Sequence, residues 1–163
     1  MARPMLADGR GHDIVPASEE ELLDELRRFD NEFRAAREPR IVTIYADPEA
    51  DVTPKLWIGL GRRTDDATVA YQHGLSGAQS RGPRRNDKRE IGYEYGDGYS
   101  EFHRSTLVPK EDALAAAREF FDVDVADLTL AQAALLAGLP PAPNRFDPRR
   151  SSRQAFGRQR YVL

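Results

Sequence analysis

Residues 91–102 read Ile-Gly-Tyr-Glu-Tyr-Gly-Asp-Gly-Tyr-Ser-Glu-Phe, and this stretch decides the fold. Ile91, Tyr93 and Tyr95 alternate with Gly92 and Glu94, the period of two expected of a strand with one inward face. Gly96, Asp97 and Gly98 follow, and they tolerate the positive φ that a tight hairpin turn demands. Residues 99–103 return as the partner strand. Working outward, residues 41–46 and 55–60 are rich in β-branched and aromatic residues, the second run carrying Trp57, the one tryptophan of the chain. Turn formers between Asp47 and Pro54 separate them. Residues 68–72 supply a weaker third strand. Residues 73–88, rich in Gly, Ser, Pro and Arg, read as an extended, mobile surface loop, because burying them would strand backbone polar groups.

Helices flank the strands. Ser18 caps the first, with Glu21 placed to reach back in a capping box. Leu22, Leu26, Phe29 and Phe33 then line one face, and Glu19, Glu20, Asp24 and Glu25 sit near its positive end. Pro39 closes the region. Pro109 suits the first turn of a second helix whose apolar face is Ala113, Leu114, Ala117, Phe120 and Phe121. Thr129 and Gln132 form another capping box ahead of a short, almost wholly apolar helix, with Gly138 at its C-cap and Pro140 just beyond. Such a helix requires a partner surface. The expected class is α+β: an N-terminal helix, a mainly antiparallel sheet with a hairpin, then an α-helical C-terminal segment.

The chain has 163 residues, 40% hydrophobic and 31% charged, which bounds it to about one ordinary domain and excludes a large multidomain enzyme. No window approaches the roughly 18 uncharged apolar residues of a membrane span. The start, MARPMLADGRGHD, lacks the apolar stretch of a secretory signal, so a cytoplasmic location is expected. With no cysteine, disulfides, thiolate metal sites and cysteine nucleophiles are excluded. The net charge of -3 conceals a split: residues 140–163 hold six Arg against Asp147, a surplus of +5 that leaves -8 for residues 1–139.

Little in the sequence points to catalysis. His12, His73 and His103 are far apart, with no second ligand at metal spacing, so no metal is expected. Gly59-Leu60-Gly61 reads as a strand end, since Thr64 stands where a phosphate loop needs a third glycine. Ser76 misses the spacing of a nucleophile elbow. The basic run Arg81, Arg84, Arg85, Lys88 and Arg89 reads as a solvated loop on an acidic body, without an element that reads nucleic acid. Glu94 and Glu101 lie near each other across the hairpin, and solubility or partner contact explains them better than acid–base work. No catalytic residue and no cofactor is expected.

Two resemblances rest on longer stretches. LWIGLG at residues 56–61, the hairpin at 91–102 and STLVPKEDALAAAREFF at 105–121 together resemble a family of immunity proteins from bacterial polymorphic toxin systems. The likeness reaches back to Ser18. It implies an immunity-like α+β domain over residues 18–121 behind a flexible N-terminus of residues 1–17. Such a protein is non-catalytic and binds a cognate toxin of the nuclease or deaminase class. An acidic body steers quickly towards a basic toxin. Trp57, Tyr93, Glu94, Tyr95, Tyr99 and Glu101 are the interface candidates, with core packing the better reading for Trp57. The family's closing Gly-x-Arg-Pro turn and final Trp-Gln strand are absent after Phe121.

Residues 122–163 instead resemble the closing motif of the family 51 glycosyltransferases, the peptidoglycan transglycosylase module of penicillin-binding proteins. The overlap begins near Ala115, where AAAREFF fits both families. The matching positions are Thr129, Gln132, Gly138, Pro140, Pro143, Asn144 and Arg145. The family's catalytic stretches E-D-x-x-F-x-x-H-x-G, G-G-S-T-I-T-Q-Q and K-x-x-I-L-E-x-Y-L-N do not occur in these 163 residues, so glycosyl transfer is not expected. The leading expectation is a non-catalytic toxin-binding protein. The alternative is a truncated peptidoglycan glycosyltransferase relative involved in cell-wall synthesis. Neither reading specifies an oligomeric state.

Overall fold

The computed structural model describes residues 3–122, and the positions expected of the transglycosylase-like motif, Thr129, Gln132, Gly138, Pro140, Pro143, Asn144 and Arg145, lie outside them. The class is α+β. In chain order the elements are β1 (Met5–Ala7), β2 (Asp13–Ile14), α1 (Glu19–Ala36), β3 (Arg40–Tyr45), β4 (Lys55–Leu60), β5 (Asp66–His73), β6 (Ser76–Gln79), β7 (Glu90–Tyr95), β8 (Gly98–His103), β9 (Val108–Pro109) and α2 (Lys110–Asp122).

α1 starts where its capping box predicts. Ser18 Oγ accepts the Glu21 N–H at 3.1 Å, but Glu21 Oε2 reaches one residue further back, accepting the Ala17 N–H at 2.6 Å. Arg37 stops the helix in the left-handed region at φ 60°, its N–H returning to the Arg34 and Phe33 carbonyls. The inward stripe is Leu22, Leu23, Leu26, Phe29 and Phe33, all buried.

The main sheet runs β2-β1-β3-β4-β5-β6 with antiparallel neighbours throughout. Alternation gives it two covered faces. Val42, Ile44, Leu56, Ile58, Leu60, Ala67, Val69 and Tyr71 pack with the stripes of α1 and α2. Ile41 and Ala70, on the other face, pack with Ile91, Tyr93 and Phe102 of the β7–β8 hairpin. The molecule is therefore layered as helices, sheet and hairpin. The hairpin forms as expected, with Gly96 at φ +55° in its two-residue turn. β7 joins the sheet in parallel to β3 at Arg40 opposite Glu94.

Gly59 makes this second layer possible. A β-carbon there would lie 2.5 Å from Cζ of Tyr93, whose ring rests directly on the glycine. Gly59→Ala is expected to destabilise by about 1–3 kcal/mol through overpacking. Thermal unfolding checks this, and an unchanged midpoint would mean that the hairpin does not press on β4.

Four expectations need correction. Residues 3–17 are not a free tail: Leu6 is fully buried, because β1 pairs with both β2 and β3. Within the expected loop at 73–88, β6 pairs back onto β5 through the turn at Gly74 and Leu75, His73 standing opposite Ser76. Pro109 is not in the helix but ends β9, which pairs with Asp66 and Ala67. His12 does have a carboxylate partner, since its Nδ1 lies 2.9 Å from buried Asp8. Burial would push Asp8 up. The hydrogen bonds from the His12 ring and the Arg10 and His12 amides outweigh it and hold the carboxyl below its usual range.

One charged cluster clamps helices to sheet. Asp30, buried on α1, accepts the Gly61 N–H at 2.9 Å, Arg34 Nη2 at 3.0 Å and Lys110 Nζ at 3.0 Å. Lys110 Nζ also reaches Asp65 Oδ1 at 2.7 Å, so the first residue of α2 bridges α1 and the β4–β5 connection. Among the described residues, no helix is long and apolar enough to cross a membrane.

Candidate functional site

The six interface candidates separate by face. Tyr93 is fully buried, its hydroxyl 3.2 Å from Thr68 Oγ1 and held there by a chain continuing to Thr106 Oγ1 at 3.1 Å. Burial, relieved in part by the Thr68 hydrogen bond, pushes the phenol up to about 12, so it stays neutral. With no exposed surface, Tyr93 is a core residue, which corrects its reading as a contact residue. Trp57 and Tyr95 are half-buried and pack on one another, ring centroids 5.3 Å apart. Glu94 stands opposite Tyr99 and Gly92 opposite Glu101, so Glu94, Tyr99 and Glu101 share the outward hairpin face. Tyr99 is exposed, and its ring lies over Gly92, where a side chain would collide with it.

A second feature assembles from distant segments. A cleft of about 850 Å³ opens beside the hairpin, with walls from Trp57, the β5–β6 ribbon, the loop at 81–88 and the end of β8. The loop is pinned at several points. Ser80, fully buried, accepts the Val69 N–H at 3.0 Å and donates to the Thr106 carbonyl at 2.6 Å. The Gly82 N–H donates to the Ser105 carbonyl at 2.8 Å, and the Ser105 and Arg104 amides return to the Asp87 and Arg89 carbonyls at 3.0 Å and 2.8 Å. A β-carbon at Gly82 would collide with the Leu107 carbonyl, so glycine alone permits this closeness.

The expected basic loop divides accordingly. Arg89 pairs with Asp87 at 2.6 Å, its hydrogen bonds holding that carboxyl down to about 2, and Arg84 lies 3.7 Å from Asp66. Arg81, Arg85 and Lys88 instead line the cleft, beside His103. Among the described residues that line it there is no Asp or Glu. A sequence signal for this was available and missed: residues 67–86 contain no Asp or Glu in a chain that has 27. Among the described residues, no group of three His, Cys, Asp or Glu is placed to hold a metal.

The third feature is α2, whose buried residues Ala113, Leu114, Ala116, Ala117 and Phe120 close the helix layer, with Phe121 partly buried at its edge. Arg118 is ion-paired with Glu19, the first residue of α1. Residues 111–163 match the Transglycosylase family. Penicillin-binding protein 1A of Neisseria lactamica is 51% identical over 49 residues, which is 30% of this chain and 6% of that protein. The proteins of the same name from Neisseria gonorrhoeae and Vibrio cholerae are 49% and 47% identical over 49 residues, again 6% of each. The chain thus spans 6% of the length of the curated relatives it matches. No solved structure matches it. The resemblance of residues 18–121 to immunity proteins gains no support from the comparisons. The Transglycosylase match also begins at Glu111 rather than at Ala115, so it includes almost all of α2.

The start of that match carries a titratable group. Asp112 lies buried in the first turn of α2, and burial, with neighbouring Glu111, pushes its carboxyl up to about 6. The folded state therefore holds a proton that the unfolded chain has lost between about pH 4 and 6, and stability falls as pH rises through that window. Asp112→Asn is expected to stabilise by about 1–3 kcal/mol at pH 7, with no gain below about pH 4. Urea unfolding at the two pH values checks it. An equal gain at both would implicate packing instead.

Proposed function

We propose that this chain serves peptidoglycan synthesis as a non-polymerising relative of the transglycosylase module of penicillin-binding proteins, with the α+β body as a folded partner to that stretch. The observation that carries the reading is the match at residues 111–163, which begins inside a helix the body needs for its own core. Absence of polymerising activity is proposed on chemistry: glycosyl transfer needs a carboxylate to activate the acceptor hydroxyl. The cleft among the described residues is lined by none, and the family's glutamate motifs do not occur in the sequence. The purified chain is expected to leave lipid-linked disaccharide precursor unpolymerised, while deleting its gene alters incorporation of labelled precursor into the cell wall. Polymer formed by the chain alone would overturn the first half, and unchanged incorporation the second.

A second reading, toxin binding in the cytoplasm, rests on the -8 charge over residues 1–139 and on the outward hairpin face of Glu94, Tyr99 and Glu101. Acidic surfaces speed capture of basic partners at low salt. It predicts protection of cells expressing a toxin encoded beside this gene, and loss of protection with Tyr99→Ala and Glu101→Lys together. Failure to protect removes this reading and leaves the first intact.

A further inference from the structure

The cleft beside the hairpin gathers positive charge on an acidic body. Among the described residues, Arg81, Arg85 and Lys88 line it together with His103, and no carboxylate does. Arg81 and Arg85 also interact within the protein. The loop carrying them is fixed by the Ser80 and Gly82 hydrogen bonds described above, which makes the wall preorganised.

Other lining residues have a different chemistry. Trp57 and Phe102 are among them and bring aromatic surface to the cleft. A volume of about 850 Å³ lies within the range of small-molecule sites. Clustered cations together with aromatic surface in one cleft complement a molecule bearing phosphate and a flat ring.

We propose that this cleft binds a small phosphorylated ligand of the nucleotide class, with its phosphates towards Arg81, Arg85 and Lys88 and its ring against the Trp57 wall. The proposal is independent of what residues 111–163 imply. It differs from backbone tracking by a nucleic acid in that the cations share one cleft with His103 and the aromatic surface of Trp57.

Trp57 is the sole tryptophan, so its fluorescence reports directly on the cleft. Titrating the full chain with AMP, ADP, ATP and inorganic pyrophosphate is expected to give a saturable change below about 1 mM, tighter for the nucleotides than for pyrophosphate. The double charge reversal Arg85→Glu with Lys88→Glu, both side chains exposed, is expected to weaken binding at least about tenfold in a protein that still unfolds cooperatively. No saturable change with any of the four, or equal affinity in the charge-reversed variant, overturns the proposal. Pyrophosphate binding as tightly as ADP overturns the ring contact. Affinity for single-stranded oligonucleotides that climbs with length above that of the mononucleotides overturns the pocket in favour of a nucleic-acid surface. If the double variant unfolds, Lys88→Glu alone with the same titration decides.

Discussion

Asp30→Ala is expected to be among the most damaging single substitutions in the body, lowering stability by about 3–5 kcal/mol. The carboxylate is buried and holds three donors from three parts of the chain: the Gly61 N–H, the Arg34 guanidinium and the Lys110 ammonium. Truncation leaves the buried Gly61 N–H without its acceptor and Lys110 with Asp65 alone, and the loss comes chiefly from these uncompensated groups. Lys110 normally stays charged despite burial, which alone would lower its pKa, because Asp65 and Asp30 hydrogen-bond it and raise it. Removing Lys110 as well should therefore recover part of the loss, so Asp30→Ala with Lys110→Met is expected to be more stable than Asp30→Ala alone. Urea midpoints at unchanged slope measure both. A loss under about 1 kcal/mol would mean the cluster behaves as an ordinary surface ion pair.

Phe120→Ala is the second, with an expected loss of about 3–5 kcal/mol. The ring is fully buried and meets Tyr71 of β5 edge-on, centroids 6.3 Å apart. Truncation opens a cavity between α2 and the sheet that rigid strands cannot fill by collapse. Phe121→Ala, at the edge of the same cluster, is expected to lose less. This comparison bears on more than packing, because both residues belong to the stretch that matches the Transglycosylase family. If Phe120→Ala were silent, α2 would be an appendage, and the body would have to be complete without it.

What the sequence made legible was what local chemistry writes in one place. The Ser18 cap, the spacing from Leu22 to Phe33 and the Gly96-Asp97 turn each announce an element through neighbours in the chain, and all three formed. β1, β2, β6 and β9 were not legible, because strands of two to four residues show no alternation long enough to read. Their existence is decided by the partners that reach them. Pro109 had a plausible helical role, yet Val108 and Pro109 are claimed by the edge of β5.

The same contrast governs the candidate sites. Period-two alternation had already placed Tyr93 on the face of Ile91, but it could not say that this face is the covered one. That depends on Gly59, which lies more than thirty positions earlier in the chain and offers the ring a place to rest. The cleft was less legible still, since Trp57, Arg85, Lys88 and His103 converge only after β5 and β6 fold back and the Ser80 hydroxyl ties the loop down. Only the run of twenty positions without an acid, residues 67–86, hinted at it.

The Lys110–Asp122 helix carries a constraint that is rotational rather than chemical. Each residue of an α-helix turns the following ones by about 100°. One residue inserted between Lys110 and Phe120 would swing Phe120 out of the core while leaving Lys110 clamped to Asp30, and one inserted beyond Phe121 would disturb neither. Any junction between two ancestral sequences within this helix had to preserve angular phase as well as reading frame. The interval from Lys110 to Phe120 is thus the part of the transglycosylase-like stretch whose length the body itself dictates.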